Sequence, residues 1–327
     1  MKQGVFLGSS NDIKADVWFL LVTILAAIGW IFSKEAVLIM PPLLFICLRF
    51  LIAGIVLSIV GGHQIRALSW DQCQQAIKVG CVFAVGTCFW VLGLSSGVSI
   101  SVGGFLVCLA VVIVPILDRI FFKQSVPIKT WFALPVAVIG LGFLTLKNGL
   151  SLEAGHVLFL MASLFFAMFF ILNVRAANHR EIGGLDEIME VSEKVPALSL
   201  TAITLLTVGV IAAGASFILE NEGSSTISFS ANLVFWVLAS ALLTTAARFF
   251  IQTHAQSLSK SSHGVVIMVV EPIWTALLAA AWFGESLSGF DLLGCGLIFF
   301  SIIIYRWTFI RDLFRRPLLP SDESVRR

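Results

Sequence analysis

The chain has 327 residues, 58% of them hydrophobic and only 12% charged, with a formal net charge of +2 at pH 7. That apolar fraction excludes an ordinary soluble domain and points to a polytopic membrane protein. The net charge says little, because in a membrane the placement of Lys and Arg matters more than their sum.

Six cysteines (Cys47, Cys73, Cys81, Cys88, Cys108 and Cys295) lie almost all inside apolar runs, without CxxC or Cys/His ligand spacing. They read as small apolar residues, so neither a metal nor another cofactor is expected. The opening MKQGVFLGSSNDIKAD lacks the pattern of a secretory signal, so the first apolar run is read as a retained span.

Windows of about 19 residues give ten spans. They lie near 17–38, 42–61, 75–95, 99–121, 128–147, 155–174, 196–219, 232–253, 263–283 and 288–310. Short breaks such as Pro41-Pro42 and Ser95 to Ser99 separate most of them, and only Arg175 to Lys194 and Glu220 to Ala231 are longer. Neither longer loop can fold as a soluble domain, so any chemistry lies among the helices. There is no HExxH, nucleophile elbow or clustered dyad, so the chain does not read as an enzyme.

With the N-terminus cytoplasmic, 18 of the 21 Lys and Arg residues fall on the inner side, leaving Lys34, Arg49 and Lys147 outside. This bias places both termini inside, and an even number of spans agrees with their lying on one side. The basic run RWTFIRDLFRRP after the last span reads as ordinary positive-inside anchoring, and HREIGGLDEIMEVSEK as a solvated face or short interfacial helix.

A shift of 161 positions lays residues 99–127 on 260–288 without a gap, matching Ser101 with Ser262, Gly103 with Gly264, Phe122 with Phe283 and Ser125 with Ser286. Five spans per half is an odd number, so the second copy must be inverted relative to the first. Inverted repeats of this kind belong to secondary transporters, with the substrate site near the midplane between the halves.

The ninth span, Ser262 to Glu285, carries Glu271-Pro272 near its middle. Nine residues of helix place Glu271 roughly 13 Å deep, where an ionisable group marks function by default. It can serve as a proton-coupling acid, as a partner for a cationic substrate group, or as a structural acid bonded to a neighbouring helix. Pro272 removes one backbone donor, so a kink or opening is expected beside the acid.

Arg49, about 11 Å from the end of its span, needs an acceptor within the bundle, and Glu271 is the natural candidate. Such a pair reads equally as a structural lock or as a gate opened by a substrate carboxylate. Arg248, Gln252 and His254 form a polar series on the eighth span, either lining a path or anchoring the helix at the cytoplasmic interface. Lys34 and Glu35 are read as reaching the outer surface, and Asp118 and Arg119 as pairing locally or reaching water. Trp18, Trp131 and Trp307 sit at span ends as belt residues do, whereas Trp30, Trp90 and Trp274 lie deeper and can wall a pocket or pack against lipid and neighbouring helices. Gly93-Leu-Ser-Ser-Gly97 suits close helix packing.

PPLLFICLRFLIAG, a break after LGLSSG, and QTHAQ followed by VVEPIWTALLAAAWFGESLSGFDLLGCGLIFFSIII resemble the EamA family of the drug/metabolite transporter superfamily. The resemblance covers nearly the whole chain as two halves, 1–150 and 151–327, and is most specific at Glu271-Pro272 and Gly284-Glu285. The first half departs from it, with Val111 where the aligned copy has Pro272 and Lys123-Gln124 in place of Gly-Glu.

The resemblance implies a ten-helix carrier of small metabolites in a bacterial inner membrane, often an exporter of amino acids or related solutes. The expected architecture is an all-α membrane protein of two inverted five-helix repeats, monomeric among lipids, with no nucleic-acid partner. Trp30, Arg49, Trp90, Gln252, Glu271 and Trp274 are the expected substrate-binding residues around a midplane cavity, with Glu271 the candidate for proton coupling. The alternative is a passive facilitator or channel for small solutes.

Overall fold

The structure is a computed structural model that describes residues 10–98, 100–123, 128–145, 154–178, 180–182, 190–192, 194–220, 230–258 and 267–283, with scattered positions from 289 to 304. Ser262, Glu285, most of the tenth span and the C-terminal basic run lie outside the described residues.

The first half comprises α1 (Ser10–Val37), α2 (Pro42–Val60), the short α3 (Gly62–Arg66), α4 (Trp70–Ser95), α5 (Ile100–Cys108), α6 (Ala110–Phe122) and α7 (Ile128–Thr145). The second comprises α8 (Ala154–Ala176), α9 (Ala197–Leu219), α10 (Ala231–Ala239), a π-helical segment Ser240–Ala247, α11 (Arg248–Leu258) and α12 (Glu271–Phe283). Among the described residues, six helices are long and apolar enough to cross a membrane: those ending at Val37, Val60, Ser95, Ala176, Leu219 and Leu258.

Helix starts follow local chemistry. Ser69 and Gln72 form a reciprocal capping box that opens α4, and Ser230 Oγ accepts the Leu233 N–H to open α10. Prolines at 41 and 196 stand at the caps of α2 and α9, which therefore begin without a side-chain cap. At α2 the missing cap is supplied from elsewhere. Glu220, one residue beyond α9, accepts the N–H groups of Leu43 and Leu44 at 2.8 and 3.0 Å and the Ser216 hydroxyl at 2.7 Å. A carboxylate there satisfies orphan donors and sits at the positive end of the α2 dipole.

Helices α2 and α9 cross closely and run antiparallel, with glycines making the approach possible. A Cβ built on Gly54 would lie 2.9 Å from the Leu206 nitrogen, and one on Gly209 would lie 2.9 Å from the Leu51 nitrogen. The two contacts are reciprocal, each helix presenting a glycine to the other's leucine. With no hydrophobic drive between helices in lipid, such close backbone approach is what holds a pair together. Gly86 and Gly93 likewise seat α4 against Phe165, Phe166 and Phe159 of α8.

Three expectations are corrected. The fourth span is not continuous: it breaks at Leu109 between α5 and α6. In the loop after α8, Arg180–Ile182 pairs antiparallel with Glu190–Ser192, so the described ends form paired strands rather than a short interfacial helix. Gly97 is a turn residue at φ +90° with nothing within 4 Å of a built Cβ, so only Gly93 of that pair serves packing.

Candidate functional site

The ninth span, one apolar helix over Ile267–Trp282, is also interrupted as an α-helix. Ile267–Val270 forms a 3₁₀ turn, and the α-helix proper begins at Glu271 with Pro272 in its first turn, where its missing N–H costs nothing. The opening expected beside the acid is therefore a change of helix type. The matching break in the first half falls in register, because α6 begins at Ala110 and α12 at Glu271, positions separated by the 161 residues of the internal repeat. Discontinuous helices at matching positions of two halves point to the site.

A cavity of roughly 130 Å³ lies against both breaks. Cys108, Ala110 and Val111 line it from the first break, and Met268 and Glu271 from the second. Helix α1 contributes Trp30, α2 Arg49, α4 Trp90, α11 Arg248 and Gln252. Thus five of the six residues singled out from sequence reach one cavity. Trp274 does not line it; its indole N–H is buried without a hydrogen-bond partner among the described residues.

Aromatic rings make much of the wall. Trp30 and Trp90 meet edge to face at 5.1 Å, Phe83 stacks on Phe169 at 4.1 Å, and Phe249 meets Phe83 at 4.9 Å. These phenylalanines carried no distinguishing signal in a chain with 28 of them.

Glu271 is held from two sides. The Trp30 indole donates to Oε1 at 2.9 Å, and Arg248 Nη2 lies 3.8 Å from Oε2. Arg248 is therefore a cavity residue and not a cytoplasmic anchor. Its guanidinium stands 4.5 Å over the Phe249 ring, while its Nε is buried without a partner among the described residues.

Arg49 does not pair with Glu271, which corrects the expected ion pair. Among the described residues its four hydrogen bonds go to neutral oxygens: Ser33 Oγ, Thr245 Oγ1, Thr244 Oγ1 and the Thr244 carbonyl. The physical reason is that Arg248, one helix turn from Gln252 on the cavity face of α11, reaches the carboxylate first. Among the described residues, the charged groups lining the cavity are thus two guanidiniums and one carboxylate.

Gln252 is 4% exposed, and its Oε1 has no partner among the described residues. One turn further along α11, Gln256 joins Thr253 in accepting from Asn173 Nδ2 on α8, and Asn178 donates to the Gln256 carbonyl at 2.9 Å. This amide cluster closes the bundle on the side where α1 begins. At the other end Lys34 Nζ reaches the Leu94 carbonyl at 3.5 Å and the Trp282 indole donates to Glu35 at 3.1 Å, so both residues tie helices together instead of only reaching solvent. Asn173 escaped the sequence reading, although an amide inside FFILNVRA was a visible signal.

The arrangement can hold a small solute in an aromatic box, offering a guanidinium to an anionic group and an amide oxygen to a hydrogen-bond donor. Comparison with known proteins agrees with a carrier. A chain from Archaeoglobus fulgidus described as an uncharacterized transporter is 24% identical over 305 residues, covering 91% of this chain and 88% of its own. A solved crystal structure superposes with a TM-score of 0.69 over 93% of this chain and 99% of its own, at 16% identity, which supports the fold alone. The sequence pattern of the EamA-like transporter family matches residues 13–146 and 153–307. With nearly all of both halves matched, the chain belongs to the EamA-like transporter family.

Proposed function

We propose that the chain is a secondary active transporter, an exporter of small metabolites such as amino acids or related solutes, working by alternating access around the Trp30–Arg248–Glu271 cavity. Ten spans in two inverted halves, both termini cytoplasmic, would carry it as a monomer among lipids in a bacterial inner membrane. Trp30, Trp90, Arg248, Gln252 and Glu271 contact the solute in this reading, and Glu271 couples its movement to protons.

The observation that carries the proposal is the register of the two helix breaks, which brings a half-buried ion pair to a cavity between matching positions of the two halves. Such paired discontinuities belong to carriers that rock one half against the other. The surplus guanidinium favours a solute with an anionic group, and the aromatic wall favours an apolar body.

Reconstitution in liposomes tests it. A carrier shows uptake of labelled solute accelerated by unlabelled solute on the far side, and accumulation against its gradient when a pH gradient is imposed. Equilibration without either effect would mean a passive facilitator; acceleration without a response to pH would remove proton coupling alone.

A further inference from the structure

We infer that Arg49, itself on the cavity wall, acts as a positioning residue: it holds Ser240–Ala247 in π-helical register and so aims Arg248 and Gln252 at the cavity. The inference rests on reading that cavity as the solute site.

Residues 231–258 form one continuous rod, and Ser240–Ala247 is its only π-helical stretch. A π-helix bonds i to i+5, one residue more per turn than an α-helix, and such stretches are frequent at functional sites. Here the stretch ends where the chemistry starts, since Arg248 is the next residue and Gln252 the next turn. At its end the segment tightens, the Arg248 N–H donating to the Thr245 carbonyl three residues back.

Arg49 occupies the outside of this altered stretch. Its Nη2 reaches the Thr244 carbonyl at 3.3 Å and Thr244 Oγ1 at 3.2 Å, its Nε donates to Thr245 Oγ1, and its Nη1 reaches Ser33 on α1 at 2.7 Å. Thr245 Oγ1 in turn donates to the Ser240 carbonyl five residues back at 2.9 Å. Gly29 leaves the room for this packing, because a Cβ there would stand 3.1 Å from Thr244 Cβ. One buried cation thus fastens α1, α2 and the π segment together, with all of its bonds on neutral groups.

Rewinding eight residues from π to α would advance everything after them by about one position, roughly 100° around the axis. Ala247 would then stand where Arg248 does, and Ile251 where Gln252 does. Both are apolar, so the cavity would lose the partner of Glu271 and the open amide oxygen together. The register of this segment, and through it Arg49, decides whether the site presents its polar groups.

The test reads register without any solute. In a chain freed of its native cysteines, Ile251→Cys and Gln252→Cys are made separately, and each is labelled in membranes with a small water-soluble methanethiosulfonate. Cavity access makes the Gln252→Cys chain react roughly ten-fold faster than the Ile251→Cys chain, since neighbouring residues point about 100° apart. Adding Arg49→Met is expected to reverse that order. Deleting Leu243, whose side chain is 43% exposed, should restore it, because seven α-helical residues then replace eight π-helical ones.

An unchanged order after Arg49→Met would overturn the inference. Should that variant not fold, the Leu243 deletion alone still decides: labelling that stays at position 252 supports the register account, and labelling that moves elsewhere overturns it. Failure to find any bound solute would count against the transport reading while leaving this labelling pattern intact.

Discussion

Two glycines five residues apart on α9 are expected to respond to the same substitution with opposite signs. A Cβ at Gly209 would lie 2.7 Å from the Leu51 side chain and 2.9 Å from its backbone nitrogen. The side chain can turn away, but the nitrogen belongs to α2 and can only retreat with the whole helix, by about half an ångström to reach ordinary contact. Overpacking of this kind costs roughly 1–3 kcal/mol. At Gly214 a built Cβ meets nothing within 4 Å, so alanine there only restricts the unfolded chain and suits the helix, a gain of about 0.4–1 kcal/mol. At about 2–4 °C per kcal/mol, thermal unfolding of purified protein should show Gly209→Ala falling by several degrees and Gly214→Ala rising by one or more. Gly54→Ala should fall like Gly209→Ala, and the double variant by less than the sum, because one retreat of α2 relieves both contacts. A Gly209→Ala protein as stable as its parent would refute the claim that backbone approach holds α2 to α9.

Replacing Glu220 by Gln leaves one acceptor for the two α2 amides and removes the charge at the positive end of the helix, so a loss of about 1 kcal/mol is expected in the same unfolding assay. Gln252→Leu removes a buried oxygen that has no partner among the described residues, so it should raise thermal stability by about 1 kcal/mol while weakening solute binding, measured by titration calorimetry. Loss of stability together with intact binding would show that Gln252 serves packing instead. Trp30→Phe keeps a ring against Trp90 but takes away the donor to Glu271, a hydrogen bond to a charged group worth about 1.5–3 kcal/mol, so affinity should drop by at least ten-fold with little change in fold.

Much of the site was legible because its signals are expensive. A carboxylate beside a proline, an arginine deep in a span and an amide among phenylalanines each cost too much in lipid to be accidental, and Glu271, Arg49 and Gln252 all reach the cavity. What was not legible depends on rotation and register. The Arg49–Glu271 pairing failed because the π segment turns Arg248 toward the acid and offers Arg49 two threonines, and a local change of helix type leaves no mark in SALLTTAA. The break at Leu109 was hidden because the first half carries no proline at the break, only Pro115 five residues into α6. The 161-residue repeat located that break nonetheless, once the second half's helix start was known. The Gly54–Gly209 crossing was invisible for another reason: both glycines sit in spans full of small residues, and only geometry tells which of them meets a neighbour.

The central claim is that the cavity between the two helix breaks binds the transported solute through the Glu271 pair. The most direct measurement is a thermal-shift screen of small metabolites against purified protein, run side by side on the parent and on Glu271→Gln. At least one solute, carrying an anionic group on an apolar body, is expected to stabilise the parent and fail to stabilise the variant. A solute that stabilises both proteins equally would contradict it, because Glu271 would then be a structural acid and the site would lie elsewhere.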